Sequence, residues 1–392
     1  MSGICGWVGR ADRALLDAML AAIEYRGDQT DTEVGEGAAI GYRWWGGRPG
    51  KSPGLHRDGS HVVTCAGTLA PPVPSPAARL LQRLGAGSYA DDTLATLDGA
   101  FAAAWWDGEQ ERLTLLRDPF GVRSLYYTEL DGVFYFASEL KQLLVIPDLP
   151  VEPDPAALHK YLTFSFVPGE DVPIKGIRRL LPGHVAVWQA GRIETRPYFT
   201  LRESIDPALE EQSVAVRRVR ERCQQAVADR LNGEQEVGLF LSGGIDSSGV
   251  AVWLKEAGVR PLAFSLDFGE RSVEREQAAQ VAAHLDLPLT FLPIQGPELI
   301  TPFWDLVWKL DLPFGDPVTG PQYLLGQAAR QAGLSAVFNG EGGDQLFGGW
   351  TNKPMIAAEL YADLFGRDSR EERYLESYHR FYGLEDALYT PE

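Results

Sequence analysis

Apolar and polar positions alternate at short spacing through the first 200 residues of the chain. Asp-Gly pairs at 107–108 and 131–132 separate several of the apolar runs, as in β-hairpins. Two segments, 14–23 and 76–84, have helical spacing instead. This pattern predicts an α+β domain over residues 1–200. The predicted strands cover residues 38–42, 61–65, 101–106, 113–116, 124–128, 133–136 and 184–188.

A different pattern begins near residue 205, where long helical segments alternate with single short strands. Strands that recur after crossover helices predict a parallel sheet, with a ligand at the carboxyl ends of its strands. We therefore expect an α/β domain over residues 205–392. Two later segments, 361–365 and 371–382, are also predicted to be helical. The predicted helices cover 213–231, 247–257, 273–285 and 319–332, and the strands cover 237–241, 261–266, 289–292 and 336–339.

The strand predicted over 237–241 runs directly into a turn rich in glycine and hydroxyl side chains. Gly243 and Gly244 let the backbone turn tightly so that its N–H groups converge on an anion. The helix that follows presents its N-terminus, whose partial positive charge favours phosphate. An acid, Asp246, stands in the loop, which has no lysine, and this indicates magnesium. The alternative is an ordinary strand-to-helix turn. Three serines add hydroxyl donors: Ser242, Ser247 and Ser248.

A second glycine-rich turn, residues 340–350, follows the strand predicted over 336–339. Because both turns come at the carboxyl ends of strands, they can face one another. Glu341 and Asp344 would then bring carboxylates to a site that already holds Asp246. Mg²⁺ prefers hard oxygen ligands together with phosphate oxygens, so Asp246 and Asp344 are the expected metal ligands. A glycine-rich turn with solvated acids is the alternative.

Charge and cysteine content limit the class of protein. Lys and Arg number 36 against 54 Asp and Glu, and the net charge of −18 argues against nucleic acid or anionic lipid as a partner. No stretch approaches the ~20 consecutive apolar residues of a membrane span, and no basic region followed by an apolar one opens the chain, so a cytoplasmic protein is expected. Cys5, Cys65 and Cys223 lack metal-site spacing and are expected to be buried free thiols.

Residues 242–247, Ser-Gly-Gly-Ile-Asp-Ser, resemble the pyrophosphate loop of ATP-dependent enzymes that adenylate a carboxylate or carbonyl oxygen. Both glycine-rich loops, in this order and spacing, resemble those of the asparagine synthetase family. The resemblance implies an adenine nucleotide alpha-hydrolase-like fold, with ATP and Mg²⁺ bound. It also implies a ligase that forms an acyl-adenylate, releases pyrophosphate and gives the acyl group to an amine or ammonia. Glu341 would either support the metal ligands or act as an acid/base group, and Asp311 would line the site of the carboxylate-bearing small molecule or peptide. The residues implied at the nucleotide are Leu241, Ser242, Gly243, Gly244, Asp246, Ser247, Ser248, Ser265, Asn339 and Gly340.

The first half resembles the glutamine amidotransferase domain of the same family. That resemblance implies an arrangement like that of N-terminal nucleophile hydrolases, with stacked antiparallel sheets between helices. The matching stretches are 97–102, 117–123, 125–127, 136–141 and 181–184.

Three departures from the family pattern argue against glutamine hydrolysis. Ser2 stands where the family has its cysteine nucleophile, although removal of Met1 would leave a hydroxyl nucleophile with its own amine. Residues 66–68, Ala-Gly-Thr, match the Asn-Gly-Glu stretch that serves the oxyanion hole. The aspartate that holds the amine of glutamine has no counterpart between residues 68 and 97. Arg43 still matches the arginine for the carboxylate of glutamine. We expect an inactive glutaminase domain.

The amine that captures the adenylate is left open by the sequence. Free ammonia, an amine of the same substrate, and an amine on a second molecule are all candidates. Ring-closing relatives with degenerate amidotransferase domains include β-lactam synthetases and lasso-peptide cyclases. Two further candidate functions are a non-catalytic nucleotide-binding scaffold and a glutamine-hydrolysing asparagine synthase that uses Ser2.

Family members continue well beyond the second loop, so we expect a fragment of a longer protein. The oligomeric state is open, with a homodimer among the options.

Overall fold

In the computed structural model the chain forms two compact units. The first consists of Met1–Asp154 and Gly169–Val214, and the second of Pro155–Pro168 and Ala215–Glu392. No helix within the described residues is long and apolar enough to cross a membrane. The described residues are 2–9, 12–35, 37–46, 54–84, 91–202, 206–207, 211–269, 273–316, 318–347 and 387.

The first unit is rich in short strands. Its described helices are α1 (Arg13–Ala21), α2 (Pro76–Leu84), α3 (Asp91–Ala95) and α4 (Leu140–Leu143). Its described strands are β1 (Gly3–Val8), β2 (Gln29–Val34), β3 (Ala38–Trp44), β4 (Leu55–Asp58), β5 (His61–Ala70), β6 (Asp98–Asp107), β7 (Arg112–Arg117), β8 (Tyr126–Leu130), β9 (Val133–Ala137), β10 (Arg178–Arg179), β11 (His184–Gln189) and β12 (Arg192–Pro197).

These strands form two antiparallel sheets among the described residues. The order is β10-β8-β9-β1-β3-β2 in one sheet and β12-β11-β7-β6-β5-β4 in the other. The turn between β8 and β9 has positive φ at both Asp131 and Gly132, 51° and 78°, as a tight hairpin requires. The predicted α+β class is confirmed.

Helices cover the outer faces of the two sheets. Successive residues of β6 point to opposite sides. Ala102 therefore joins Phe134 in the apolar core between the sheets, whereas Phe101 packs with Leu80 of α2 on the other side. Helix α1 lies on β3, where a Cβ on Gly41 would come within 3.1 Å of two leucine side chains of α1. The unit thus has the predicted arrangement of stacked antiparallel sheets between helices.

The second unit alternates helices with single strands. Its described strands are β13 (Gly238–Phe240), β14 (Leu262–Asp267), β15 (Leu289–Pro293) and β16 (Val337–Phe338). Its described helices are α5 (Pro155–Phe164), α6 (Gln212–Leu231), α7 (Ile245–Glu256), α8 (Val273–Leu285), α9 (Gly296–Ile300), α10 (Phe303–Leu310), α11 (Thr319–Gln331) and α12 (Gly343–Phe347). The helices predicted over 361–365 and 371–382 lie outside the described residues.

The strands of the second unit form a parallel sheet in the order β15-β14-β13-β16 among the described residues. One face packs on α7 and α8, with Leu239 in a core that includes Ala251 and Ala278. The other face packs on α11, where Phe264 meets Leu325. Helices on both faces of a parallel sheet define an α/β domain, so the predicted class is confirmed.

Helix α5 belongs to the second unit although it precedes the last strands of the first unit in sequence. The residue after α5 joins a segment far along the chain, because the backbone N–H of Gly315 donates to the carbonyl of Ser165 at 2.7 Å. Neither this helix nor this return of the chain is predicted from the sequence.

Candidate functional site

Glycine is required in the turn between β13 and α7 for both conformation and space. Gly243 has a φ of 81°, which lies in the left-handed region that favours glycine. A Cβ on Gly243 would lie 2.5 Å from the backbone carbonyl carbon of Gln277 on α8. Gly244 is the N-cap of α7. The turn therefore places the N-terminus of α7 at the carboxyl end of β13, where a helix favours an anion.

The hydroxyl groups around this turn fall into two kinds. Ser242 and Ser247 bond to each other, with 3.0 Å between their Oγ atoms, and the backbone N–H of Gly244 donates to Ser242 Oγ at 3.2 Å. In contrast, the Oγ atoms of Ser248 and Ser265 are buried without a hydrogen-bond partner among the described residues. A buried hydroxyl left unpaired costs about 1–3 kcal/mol, a cost that a ligand supplying a hydrogen-bond partner would offset.

The second loop lies directly against the first. A Cβ on Gly340 would lie 2.5 Å from the backbone nitrogen of Ser247. A Cβ on Gly343 would lie 2.3 Å from Cγ of Asp246 and 2.5 Å and 2.6 Å from its two carboxylate oxygens. The two loops meet because β13 and β16 are parallel neighbours and end at the same edge of the sheet. The Asp246 carboxylate thus lies on the backbone that carries Asp344.

Glu341 is held by its own loop and by α11. Its side chain accepts a hydrogen bond from Nε2 of Gln322. Its backbone N–H donates to Oδ1 of Asn339 at 3.3 Å, and Nδ2 of Asn339 lies 3.5 Å from Oε2 of Glu341. Gln322 was not predicted as a site residue, because a glutamine on a helix surface carries no motif. Its proximity to Glu341 depends on the packing of α11.

The arrangement around Asp246 suits a magnesium ion that is bound mainly by its substrate. No group of three or more His, Cys, Asp or Glu residues is arranged to hold a metal ion within the described parts of the chain. Mg²⁺ is commonly held by one or two carboxylates together with substrate phosphates and water. The pair Asp246 and Asp344 beside the N-terminus of α7 fits that mode. A site made entirely of protein ligands, including Glu341, is not present among the described residues.

Other residues predicted to bind the nucleotide or the acyl substrate lie on neighbouring segments. Leu241 is buried, and its N–H donates to the carbonyl of Phe264 at 2.9 Å, which holds the start of the turn beside β14. Ser265 is the next residue of β14, 2% exposed. Asp311 follows α10 with a φ of 69°, on the segment that leads towards α11. Asp311 is therefore on an element separate from the two loops.

In the first unit, the side chain of Arg43 is directed at the backbone. Its Nε donates to the carbonyl of Gly27 at 2.7 Å, and its Nη1 donates to the carbonyl of Leu20 at 3.2 Å. The bond to Leu20 fastens β3 to α1, and the bond to Gly27 fastens it to the segment that follows α1. Both Nε and Nη1 of Arg43 are therefore bonded to the backbone of the first unit.

Ser2 lies at the start of β1 and is partly buried. Its carbonyl accepts a hydrogen bond from Nη1 of Arg26 at 3.1 Å, and its side chain bonds to the phenol of Tyr42. Burial raises the pKa of Tyr42 to about 12, so the phenol is neutral at physiological pH. Cys5 is fully buried within β1, and burial raises the pKa of its thiol. Ser2 is thus the more accessible of the two.

Comparison with known proteins places both units in one family. Residues 218–390 match the family model of asparagine synthase, and residues 81–199 match that of the glutamine amidotransferase domain. Together these matches cover most of both units, in the order predicted from the motifs. The chain belongs to the asparagine synthetase family.

Curated relatives extend this likeness. The chain is similar to asparagine synthetase [glutamine-hydrolyzing] 1 of Bacillus subtilis, with 32% identity over 264 residues that cover 67% of this chain and 41% of the relative. Asparagine synthetase [glutamine-hydrolyzing] 2 of the same organism is 27% identical over 390 residues, which cover 86% of this chain and 50% of the relative. An amidase of Penicillium rubens, chyE, is 31% identical over 67% of this chain and 41% of its own length. The chain therefore spans half or less of the length of these relatives.

Proposed function

We propose that this chain is part of an ATP-dependent carbon–nitrogen ligase. The enzyme would activate a carboxylate as an acyl-adenylate, release pyrophosphate, and pass the acyl group to an amine or ammonia. The observation that supports this most is the contact of the Asp246 carboxylate with the backbone of Gly343. This contact places the N-terminus of α7, where an anion would bind, against the loop after β16 that carries Glu341 and Asp344. Membership of the asparagine synthetase family supports the same reaction class.

Each loop has a distinct role in the proposed site. The turn at Gly243 and Gly244 would bind the β- and γ-phosphates of ATP with its backbone N–H groups. Ser248 and Ser265 would donate their unpartnered hydroxyls to the nucleotide. The serines already bonded within the turn would keep its shape. Leu241, Asn339 and Gly340 would line the nucleotide through their backbone or amide groups.

Carboxylates would complete the site around the leaving pyrophosphate. Asp246 and Asp344 would hold Mg²⁺, which when bound supplies positive charge to the departing phosphates. Positioned donors and charges of this kind commonly stabilise a transition state more than any other single effect in an enzyme. Glu341, held by Gln322, would position or exchange a proton near the acyl group. Asp311 would contact the acyl substrate.

The first unit would not supply ammonia from glutamine in this proposal. Arg43 directs two of its donors at the carbonyls of Gly27 and Leu20, which leaves fewer for the carboxylate of glutamine. Ala66 lies inside the paired ladder of β5 and β6 and has no side-chain donor for an oxyanion. The acyl-adenylate would then be captured by free ammonia or by an amine of a small molecule or peptide, including an internal amine that closes a ring.

Exchange of labelled pyrophosphate into ATP tests the ligase proposal. The complete natural protein is assayed with aspartate, β-amino acids and carboxylate-bearing peptides, because only an adenylated acid supports exchange. Asp246→Asn should lower the exchange rate at least about 100-fold, since it removes a charge next to the pyrophosphate. Asp286→Asn is the matched control, because the Asp286 side chain is 85% exposed and pairs only with Arg260 in the described contacts. Undiminished exchange in the Asp246 variant would refute the proposed role of this carboxylate.

Glutamate release from glutamine tests the proposal for the first unit. Neither the natural protein nor Ser2→Cys should release glutamate above background, because a new thiol does not replace the missing oxyanion and amine partners. Ammonium salts and amines should support product formation where glutamine does not. Steady glutamate release by the natural protein would instead establish the alternative in which Ser2 is a nucleophile.

A further inference from the structure

A cluster of charged side chains lies beside the first residues of β1. Glu139, whose side chain is 1% exposed, forms ion pairs with Arg26 and Lys141. It also accepts a hydrogen bond from the phenol of Tyr25. Arg26 reaches in the other direction as well, because its Nη1 donates to the carbonyl of Ser2. The two cations therefore share one carboxylate, and Arg26 connects that carboxylate to the start of β1.

A third cation, Arg123, lies next to this cluster, and among the described residues it forms no ion pair like those of Arg26 and Lys141. Its guanidinium interacts electrostatically with Arg26 and with Asp118, and also with Tyr42 and Cys65. Its Nε is buried without a hydrogen-bond partner among the described residues. Burial and the nearby charge of Arg26 lower the pKa of Arg123. A buried donor without an acceptor costs about 1–3 kcal/mol, and more for a charged group, so this guanidinium lacks the acceptor it needs.

The carboxylates in this region do not neutralise the cations. Asp118 is fully buried and its carboxylate accepts hydrogen bonds from three backbone N–H groups of the turn that follows it, at 2.9–3.1 Å. Glu139 is shared by Arg26 and Lys141. Arg117 also interacts electrostatically with Asp118. With Arg117 and Arg123 included, four cations face two carboxylates, so the region is positively charged although the chain as a whole carries −18.

We propose that this region binds the carboxylate group of a small acid, with the guanidinium of Arg123 as its main donor. Ser2 and Arg123 are partly exposed, so a solute can reach part of each residue, and a ligand would have to enter beside the buried Nε of Arg123. The hydroxyls of Ser2 and Tyr42 are bonded to each other and would lie beside the bound group. A carboxylate matches the planar fork of a guanidinium.

This carboxylate site differs from the one expected from the family resemblance. Arg43 was expected to receive the carboxylate of glutamine, but its Nε and Nη1 are bonded to backbone carbonyls. Nε of Arg123, which follows the turn after β7, is a donor without a partner in the described part of the chain. The site lies entirely in the first unit and involves no nucleotide. Its tests are therefore independent of the ligase proposal, and either proposal can fail without the other.

Protection from chemical modification tests the site in the natural protein. Phenylglyoxal reacts with accessible guanidinium groups, and peptide mass spectrometry identifies each modified arginine. Acetate or succinate should slow modification of Arg123 at least about fivefold, as expected for a donor covered by a charge-assisted hydrogen bond. Arg217, exposed on α6, is the control and should react at the same rate with and without the acid. Three results would overturn the proposal: no protection, equal protection of Arg217, or no reaction of Arg123 at all.

Calorimetric titration with acetate, succinate and inorganic phosphate separates the possible ligands. Arg123→Met should weaken carboxylate binding by about tenfold or more, the effect of losing one charged hydrogen bond. Arg123→Lys should retain part of the binding, because a lysine keeps the charge and loses the fork. Arg192→Met, on the exposed strand β12, is the control and should bind as the natural protein does. Binding of phosphate in preference to both acids would contradict the proposal. If Arg123→Met does not fold, the protection experiment alone decides.

Discussion

The carboxylate of Asp246 lies directly on the backbone of Gly343. The two residues are almost a hundred positions apart in sequence, yet a Cβ on Gly343 would lie 2.5 Å from Oδ1 of Asp246. Contacts this short do not occur between a real Cβ and a neighbouring oxygen. The absence of a side chain at position 343 therefore determines where the Asp246 carboxylate can lie.

Gly343→Ala should displace the Asp246 carboxylate and impair the proposed magnesium site. We expect a loss of at least about tenfold in ATP–pyrophosphate exchange, because a small misplacement of a charged group is costly in a preorganised site. Gly326→Ala is the matched control: Gly326 lies within α11, and a Cβ there would meet no atom within 4 Å. That control should raise stability by roughly 0.5–1 kcal/mol and leave exchange unchanged. Equal exchange in the two variants would show that the contact has no functional role.

Two glycines with the same φ allow the stability cost of backbone strain to be measured separately from the cost of a steric conflict. Gly243 and Gly258 both have a φ of 81°. A Cβ on Gly258 would meet nothing within 4 Å, whereas one on Gly243 would lie 2.5 Å from the backbone of Gln277. Gly258→Ala should cost about 1–2 kcal/mol in unfolding free energy, the strain of the left-handed conformation.

Gly243→Ala should cost more than Gly258→Ala in chemical denaturation and should also abolish nucleotide binding. The added methyl group would force the turn that we propose binds phosphate away from α8. ATP binding is measured by calorimetry on both variants. If they lose the same stability and both retain ATP binding, the close approach of Gly243 to Gln277 is not needed for the site.

Ser265→Ala should lower the affinity for ATP without lowering the stability of the protein. The Oγ of Ser265 is buried without a partner among the described residues, so its removal should leave the unfolding free energy unchanged or raise it by up to about 1 kcal/mol. The affinity for ATP should fall about 5- to 30-fold if this hydroxyl donates to the nucleotide.

Ser138→Ala provides the opposite control. The Oγ of Ser138 accepts a hydrogen bond from the N–H of Ile4 at 2.8 Å in the first unit. Its loss should destabilise that unit by about 1–2 kcal/mol and leave ATP affinity unchanged. A stable Ser265→Ala protein with normal ATP affinity would remove Ser265 from the proposed site.

The three cysteines should differ in reactivity. Burial raises the pKa of Cys65 to about 12 and raises the pKa of Cys5, so the reactive thiolate forms only well above neutral pH. At pH 8 the thiolate fraction of Cys65 would be on the order of 10⁻⁴. Cys223 is only partly buried and should react first with a thiol reagent. Mass spectrometry of labelled peptides identifies the order, and rapid labelling of Cys5 or Cys65 in the folded protein would contradict this burial.

Periodicity in the sequence located seven strands of the first unit, each with an apolar face. The predicted ranges omit β1, which is buried along its whole length, and the polar strands at the sheet edges. β2, β4 and β12 are edge strands and expose much of their length. Such strands show no alternation, because neither face needs to be apolar at an edge. In the first unit the prediction also shifted β8 by two residues, from 124–128 to Tyr126–Leu130. In the second unit the helix bounds agree within about two residues, and α8 agrees fully.

Short helices were also missed by the sequence analysis. The prediction treats residues 340–350 as a turn, whereas α12 occupies Gly343–Phe347. Helices α9 and α10 were not predicted between β15 and α11. A helix of one or two turns has too few positions to establish a period, so its formation depends on neighbours that only the fold supplies.

The sequence by itself determined the two domain classes and the two loops, because strand and helix periods and turn glycines are local properties. Only the tertiary structure decided which groups face one another. It placed Asp246 on Gly343, gave Glu341 a partner in Gln322, and directed Arg43 at backbone carbonyls while leaving Nε of Arg123 without an acceptor among the described residues. The physical reason is that strand order and helix packing determine which side chains become neighbours. They bring together residues that are far apart along the chain, and nothing in the local sequence indicates such a contact.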